Sequence, residues 1–423
     1  MKKSRVRILS IVCCVFLVSV MLTACGNGKK EEGFGKKEEQ KEIVVMVPPW
    51  AEPSSELLKE FTEKTGIKVI INIVGWDDIR NKVSIAAAGE TAPADVIEVD
   101  WSWVGEFGAA DWFEPIEMPE EEIEGMPTVK SFMYNDQIVA LPYANDFRLA
   151  YYNTEHFEQA GVTEAPKTWD EVYEACKKIK DQGISNYPIA MTLSATEAST
   201  TSLFWMTLSK YGDIFNDDFT LKKENVLGAL EFVNKMVNDD KLIDPASENM
   251  KDVEVYGKLT AGATSFMIGP TYYIGLINNP DESQIVGKAS AMLVPGNGDI
   301  KTATFALPEG IGVSKYSENK EAAKEFVNWY TSPEIQIKMY KEKGNIPTRT
   351  KALQQLIESG DIVGGEVLIE QSEYIASPFP GGIPQWYSEM SNTIYNSVNQ
   401  MVQGAMTPEQ ACENIEKKVA ELK

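Results

Sequence analysis

The chain has 423 residues, of which 63 are acidic and 40 basic, a formal charge of -23 and one histidine. So acidic a chain is a poor partner for nucleic acid and is repelled by anionic lipid surfaces, and one histidine cannot build a histidine-based triad or a multi-histidine metal site. The length exceeds what one compact core sustains, which implies two domains.

Residues 1–24 read as a processed leader, with Lys2, Lys3, Arg5 and Arg7 as a basic head, residues 8–22 as an apolar stretch and Ala24 before Cys25. Leu22-Thr23-Ala24-Cys25 closely resembles the bacterial lipobox. That resemblance implies a diacylglyceryl thioether on Cys25 and a membrane anchor of two or more acyl chains; an ordinary secreted chain with an incidental Cys25 is the alternative. The rest of residues 25–40 mixes charge with glycine and has little to bury, as a flexible tether of roughly 20 Å would. Of the cysteines beyond it, Cys176 and Cys412 both lie in helical patterns and are as readily two buried thiols as one bridge.

From residue 43 the pattern alternates buried strand with amphipathic helix. Residues 43–47 form the first strand, and Pro53 and Ser54 open a helix that presents Leu57, Leu58 and Phe61 on one face and stops at Gly66. Residues 69–74 give the second strand. Asp77 is placed to cap the helix that runs to Gly89. Residues 95–99 give the third strand, with a short helix from Val104. This order predicts an α/β fold with mainly parallel sheets flanked by helices, whose ligands sit beyond the carboxyl ends of the strands.

Those strand ends carry indoles: Trp50 after the first, Trp76 with Asp77 after the second, and Asp100 with Trp101 and Trp103 after the third. An aromatic face matches the C–H face of a sugar ring, while carboxylates and amides take its hydroxyls. Packing between sheet and helix is the other reading of each indole. Residues 138–141 and 149–152 then read as two buried strands interrupted by Asn145, Asp146 and Arg148. Charge of this kind is tolerated where it lines a cleft, so this stretch is where the chain crosses between lobes; Asp146 and Arg148 pairing to brace a hinge is the alternative.

Thr168-Trp169-Asp170-Glu171 is a capping box, which gives Trp169 a structural place in a first helical turn. Residues 189–193 form a strand followed by Ser194, Thr196 and Glu197 and a helix containing Trp205, and residues 264–268 form another that runs into Gly269-Pro270-Thr271-Tyr272-Tyr273. Further strands fall at 289–294 and at 310–313, the latter as the return crossing. A helix from Asn319 turns Ala322, Phe326 and Trp329 to the core. The proline-rich segment 377–384 is a rigid loop presenting Trp386 and Tyr387, and Thr407-Pro408-Glu409-Gln410 opens the last helix.

In this order the motifs resemble family 1 extracellular solute-binding proteins, the maltose-binding-like receptors of ATP-driven importers. The carrying residues are Ala94-Asp95-Val96-Ile97 before Asp100-Trp101, Leu141-Pro142-Tyr143 running to Tyr151-Tyr152-Asn153, Lys167-Thr168-Trp169-Asp170-Glu171, Gly269-Pro270, Gly310-Ile311-Gly312-Val313-Ser314 and Thr407-Pro408-Glu409-Gln410-Ala411. The resemblance implies a type II two-lobe fold, with residues 41–147 and about 305–350 in one lobe and residues 148–304 and about 351–423 in the other. It implies closure of the lobes on a carbohydrate, most simply an oligosaccharide, and delivery to permease subunits, by a monomer on the outer face of the cell membrane without catalysis or cofactor. Carried over by position, the ligand-binding residues are Trp50, Asp100, Trp101, Asn145, Asp146, Arg148, Glu197, Tyr272 and Trp386. Thr271 intervenes where the family often has tryptophan after Gly-Pro, and Trp386 lies nearer Pro384 than the usual late aromatic. Arg148 leaves room for an acidic sugar. A surface-anchored glycoside hydrolase remains as the alternative, since such enzymes also set aromatics beside a carboxylate pair; His156 stands alone at a helix entry, and no phosphate loop, nucleophile elbow or His-Glu-x-x-His helix is present.

Overall fold

The computed structural model describes residues 41–423, so the leader, Cys25 and the tether lie outside the described residues. Strands β1 (Glu42–Val47), β2 (Lys68–Ile73), β3 (Val96–Asp100), β4 (Leu141–Ala144) and β9 (Glu309–Val313) make one sheet in the order β2-β1-β3-β9-β4, and β5 (Arg148–Asn153), β6 (Ile189–Ala190), β7 (Phe266–Pro270) and β8 (Ala289–Met292) make a second in the order β8-β5-β7-β6. The principal helices around them are α1 (Ser55–Thr65), α2 (Trp76–Ala88), α3 (Val104–Ala109), α4 (Trp169–Asp181), α5 (Glu197–Met206), α6 (Lys223–Asn234), α7 (Lys320–Tyr330), α8 (Tyr387–Val402) and α9 (Pro408–Leu422).

The α/β class holds, but the pairing is mixed. β1 is parallel to β2 and β3, and β6 to β7, whereas β9 runs against β3 and β4, and β5 against β7 and β8. The reversed strands are the two by which the chain enters the second sheet and returns to the first. Alternation along each strand then sends side chains to separate cores. On the first sheet Val45, Val96 and Ile311 meet Phe61 of α1 and Phe326 of α7, while Met46, Ile97 and Val99 meet Ile79 of α2 and Phe107 of α3. On the second, Ala150 and Ile268 lie with Trp169 of α4, and Tyr151 and Met267 with Tyr256, Tyr273 and Leu353.

Local chemistry explains most of the boundaries. Ser54 accepts from the Leu57 N–H at 3.3 Å and Gly66 ends α1 at φ 75°, a conformation open to glycine. Thr168 with Glu171, and Thr407 with Gln410, form complete capping boxes. Several boundaries differ from the sequence reading: the strand expected at 189–193 is shortened to Ile189–Ala190, that at 264–268 is shifted to Phe266–Pro270, and that at 289–294 ends at Met292. Gly75, not Asp77, precedes α2. The crossing strand sits at Leu141–Ala144 rather than 138–141, because Gln137–Ile138 folds back on Met133–Tyr134 through Asn135 and Asp136, both at positive φ as a tight hairpin turn requires. Gly310 and Gly312 have no room for a side chain. A Cβ there would lie 2.6 Å from the Phe132 and Phe113 rings, so glycine lets these aromatics cover one face of β9 while Glu309, Ile311 and Val313 take the other.

Candidate functional site

The carboxyl edge of the first sheet is where the chain passes to the second, and two segments do so side by side. Phe147 bridges Ala306 in antiparallel fashion, Thr304 Oγ1 accepts from the Arg148 N–H and donates to the Arg148 carbonyl, both at 3.0 Å, and the Leu307 N–H donates to the Asp146 carbonyl at 2.6 Å. Asn145 is consumed by this clasp. Its amide accepts from Thr128 Oγ1 at 2.8 Å and donates to the Pro347 carbonyl at 2.9 Å, while its own carbonyl accepts from Thr271 Oγ1 at 2.9 Å.

Asp146 and Arg148 pair at 2.6 Å, and Asp146 also accepts from the Thr271 N–H at 3.3 Å. Burial works against the charge on Arg148, but Asp146 beside it more than compensates and holds the guanidinium above its ordinary value. The Arg148 Nε–H is buried without an acceptor. Tyr272, just beyond β7, is 40 % exposed, and Trp50, just beyond β1, is 41 % exposed, its carbonyl tied to Asn345 Nδ2 at 3.1 Å. These two rings have open surface.

Asp100 ends β3 and caps the short turn of Trp101–Trp103 by accepting from the Ser102 N–H at 2.8 Å and from the Ser102 hydroxyl. It also accepts from the Trp76 indole at 3.2 Å, and burial pushes its carboxyl up to about 6. Trp101, by contrast, is 4 % exposed, its ring 5.1 Å from Tyr387 and 5.9 Å from Phe305, with the aromatic core of the second sheet behind them. This indole packs between the two halves, and the little surface it keeps borders a recess of about 330 Å³ lined also by Thr128, Ala306 and Ser377. α3 approaches the proline-rich loop just as closely: a Cβ on Gly105 would fall 2.2 Å from the Ile383 carbonyl.

Glu197, in the first turn of α5, accepts from the Tyr387 hydroxyl and from Ser391 Oγ at 2.5 Å, and burial raises its carboxyl to about 7. Trp386 turns away from it, its ring 5.8 Å from Phe219. Between the halves on this side lies a recess of about 410 Å³ that takes Trp76, Arg80 and Ser102 from one and Glu197, Tyr387, Asn392 and Tyr395 from the other. Thus Asp146, Arg148 and Tyr272 are drawn together, Asp100 and Trp76 are drawn together, Glu197 lies across from them, Asn145 is hydrogen-bonded within the crossing, and the rings of Trp101 and Trp386 lie against Phe305 and Tyr387 and against Phe219.

Two participants escape the sequence reading. Tyr387, which the sequence leaves as the neighbour of Trp386, is the ring that meets both Glu197 and Trp101. Glu309 opens β9 opposite Asp100 and Ala144, on the same sheet edge. An acid directly before a buried Gly-Ile-Gly-Val strand is the same signal that marks Asn145, Asp146 and Arg148, and could have found it. His156 lies in a helix entry, its Nδ1 2.9 Å from Ser265 Oγ, with Glu155 and Lys288 as its charged neighbours.

Comparison with known proteins places these features in context. The family described as bacterial extracellular solute-binding protein matches residues 48–337. A probable amino-acid ABC transporter periplasmic-binding protein of Sinorhizobium fredii is 25 % identical over 395 residues, covering 87 % of this chain and 85 % of that one. A diacetylchitobiose-binding protein of Streptomyces coelicolor is 25 % identical over 368 residues, covering 79 % and 80 %. Maltose-bound MalE3 of T. maritima superposes with a TM-score of 0.79 at 25 % identity, over 90 % of this chain and all of that one, and shares its two-lobe α/β architecture.

Proposed function

From the chain's membership of the bacterial extracellular solute-binding proteins, we propose that it captures an uncharged carbohydrate or polyol between two lobes and presents it to the permease of an ABC importer. The lobes are residues 41–147 with about 305–350, and residues 148–304 with about 351–423. Cys25 carries lipid and holds the monomer on the outer face of the cell membrane, as its lipobox-like context favours.

The observation that carries this reading is the pairing of Arg148 with Asp146 at 2.6 Å. An amino acid or sugar phosphate brings an anion that needs an uncommitted cation, and this guanidinium is already neutralised by a carboxylate. The exposed faces of Trp50 and Tyr272, with Asp100 and Asp146 as hydroxyl acceptors, suit a ring of C–H and O–H groups instead. Maltose and diacetylchitobiose, named for two of the similar proteins, are of this class. The relatives are named as binding proteins, and the hydrolase alternative finds no support among them.

With the lobes apart, each wall holds part of the solute; together they complete its contacts, so the solute shifts an existing equilibrium between open and closed forms. A micromolar dissociation constant corresponds to about -8 kcal/mol, within reach of two stacked rings and several hydrogen bonds after closure is offset. Calorimetry of residues 41–423 with neutral saccharides and polyols, with glycerol 3-phosphate and with amino acids tests the reading. Binding confined to the uncharged set is expected; selective binding of an amino acid or phosphate overturns it.

A further inference from the structure

Behind the edge of the first sheet lies a polar group that the hydrophobic pattern of the strand does not explain. Glu98, in the middle strand β3, is fully buried and shares its face of the sheet with Val96, Ile311 and Val313. Neither of its carboxyl oxygens has a well-formed hydrogen bond. Glu309 pairs directly with Asp100 across β9 and β3, so its side chain and that of Glu98, two residues earlier, point to the same side. A bulge at Glu309 and Gly310 leaves Tyr143 as the extra residue of β4 and aims its hydroxyl at the same place, also buried and without a partner. One Glu309 oxygen is buried and unpaired as well, yet the residue keeps partial exposure at the carboxyl edge of the sheet.

Two carboxyls side by side in a dry sheet face cannot both ionise. The groups around them sharpen the point. Asp100 comes from β3, Tyr143 from β4, Tyr330 from α7, and Asp146 and Arg148 from the crossing, with the guanidinium already committed to Asp146. The surrounding charge is therefore negative, and a proton is the available counter-charge.

We propose that Glu309 is a solute-contacting, specificity-determining residue at the floor of the interlobe cleft, kept protonated there beside the buried carboxyl of Glu98. In that form Glu309 donates its O–H to a solute oxygen, and Asp100 and Asp146 accept solute hydroxyls. Such a floor selects uncharged polyhydroxylated solutes. Burial first, then its acidic neighbours, hold Glu98 well above the usual carboxylate range, and burial with Asp100 and Asp146 raises Glu309 to about 8. Glu309 therefore carries its proton at neutral pH and loses it as pH rises through that value, and with it the donor and the tolerance for a solute at the pair.

The inference rests on the uptake-receptor reading, and the test separates the two. Residues 41–423 are titrated by calorimetry with maltose, maltotriose, diacetylchitobiose, arabinotriose and mannitol between pH 6 and about 9.5, a range that spans the expected Glu309 transition. A binding probe should show constant affinity below about pH 7 and a loss approaching tenfold per pH unit above about 8. Glu309→Gln, which keeps a donor but cannot ionise, should hold its low-pH affinity up to about pH 9.5 and lose the pH dependence, while Glu98→Gln, whose amide can donate to the ionised Glu309, should move the transition down by at least one pH unit. A probe that binds with the same affinity throughout the range, or an unchanged profile in Glu309→Gln, overturns this inference alone. Carbon-13 NMR of glutamate side chains in the unaltered protein decides the matter should the variants not fold: both carboxyls titrating near their ordinary value of about 4.3 overturns it. Failure of every probe at every pH, with Glu309 still protonated at neutral pH, removes the receptor reading instead.

Discussion

Trp50 and Trp101 both leave the carboxyl edge of the same sheet, one after β1 and the other after β3, and they end in opposite surroundings. Trp50 follows two prolines into a short turn and keeps 41 % of its surface, whereas Trp101 starts a turn capped by Asp100 and is driven between Phe305 and Tyr387 with 4 % left. Position at a strand end brings a ring to the cleft region. What lies opposite decides whether the ring meets solute or protein, and for Trp101 a tyrosine almost three hundred residues later in the chain is already there.

Substitution of each indole breaks the comparison most directly. Trp101→Ala should cost about 3–5 kcal/mol of stability, since the cavity falls among rigid aromatic rings, and chemical denaturation should show a lower midpoint with an unchanged slope. Trp50→Ala should instead leave stability within about 0.5 kcal/mol and weaken saccharide binding at least tenfold by calorimetry. Equal loss of affinity without loss of stability in both variants would place Trp101 on the solute.

The crossing lies between these extremes, because its groups are buried or half-buried yet stand at the carboxyl edge of the sheet. Asp146→Asn leaves the Arg148 guanidinium without its counter-charge, and about 2–3 kcal/mol of stability should go with it, below the full cost of a broken buried pair because Asp146 is partly exposed. The same variant should bind glycerol 3-phosphate measurably better than the parent, an arm that mere destabilisation would not produce.

A gentler probe is pH. Asp100, Glu197 and Glu309 have carboxyls raised by burial to about 6, 7 and 8. Each binds a proton in the folded chain that the unfolded chain has already released, so the stability they contribute is complete near pH 4 and is lost as pH rises through these values. The denaturation midpoint should fall steadily between pH 5 and pH 8, by at most about 1.4 kcal/mol per pH unit for each proton involved. Glu309→Gln should flatten the upper part of that slope and leave the lower part. A midpoint that climbs over the same range would mean that these groups are ionised throughout.

Much of the fold was legible because strands and helices announce themselves locally. Alternating hydrophobic runs, Ser54 with Gly66, and the boxes at Thr168 and Thr407 locate elements without reference to the rest of the chain. The direction of β5 and β9 was not legible in this way, since pairing depends on where the chain returns, and the hairpin at Asn135 and Asp136 took residues that the apolar run at 138–141 had offered to the crossing. At the candidate site the sequence marked which positions are unusual but not which way they face. Asn145 stands in the right stretch, yet both ends of its amide are used by Thr128 and Pro347. Trp386 and Tyr387 are adjacent, and only the start of α8 determines that the tyrosine turns toward Glu197. Glu98 could be read as a solvated acid in a strand until pairing with β9 places it in the core.

Cys176 and Cys412 are both reduced and sealed inside, and burial raises the Cys176 thiol beyond reach of ordinary alkylation while Cys412 rises to about 11. Residues 41–423 hold no further cysteine. A pair of thiols introduced on opposite rims of the groove would thus accept fluorophores selectively against a silent native background, and the distance between the dyes would report each capture and release in a single molecule.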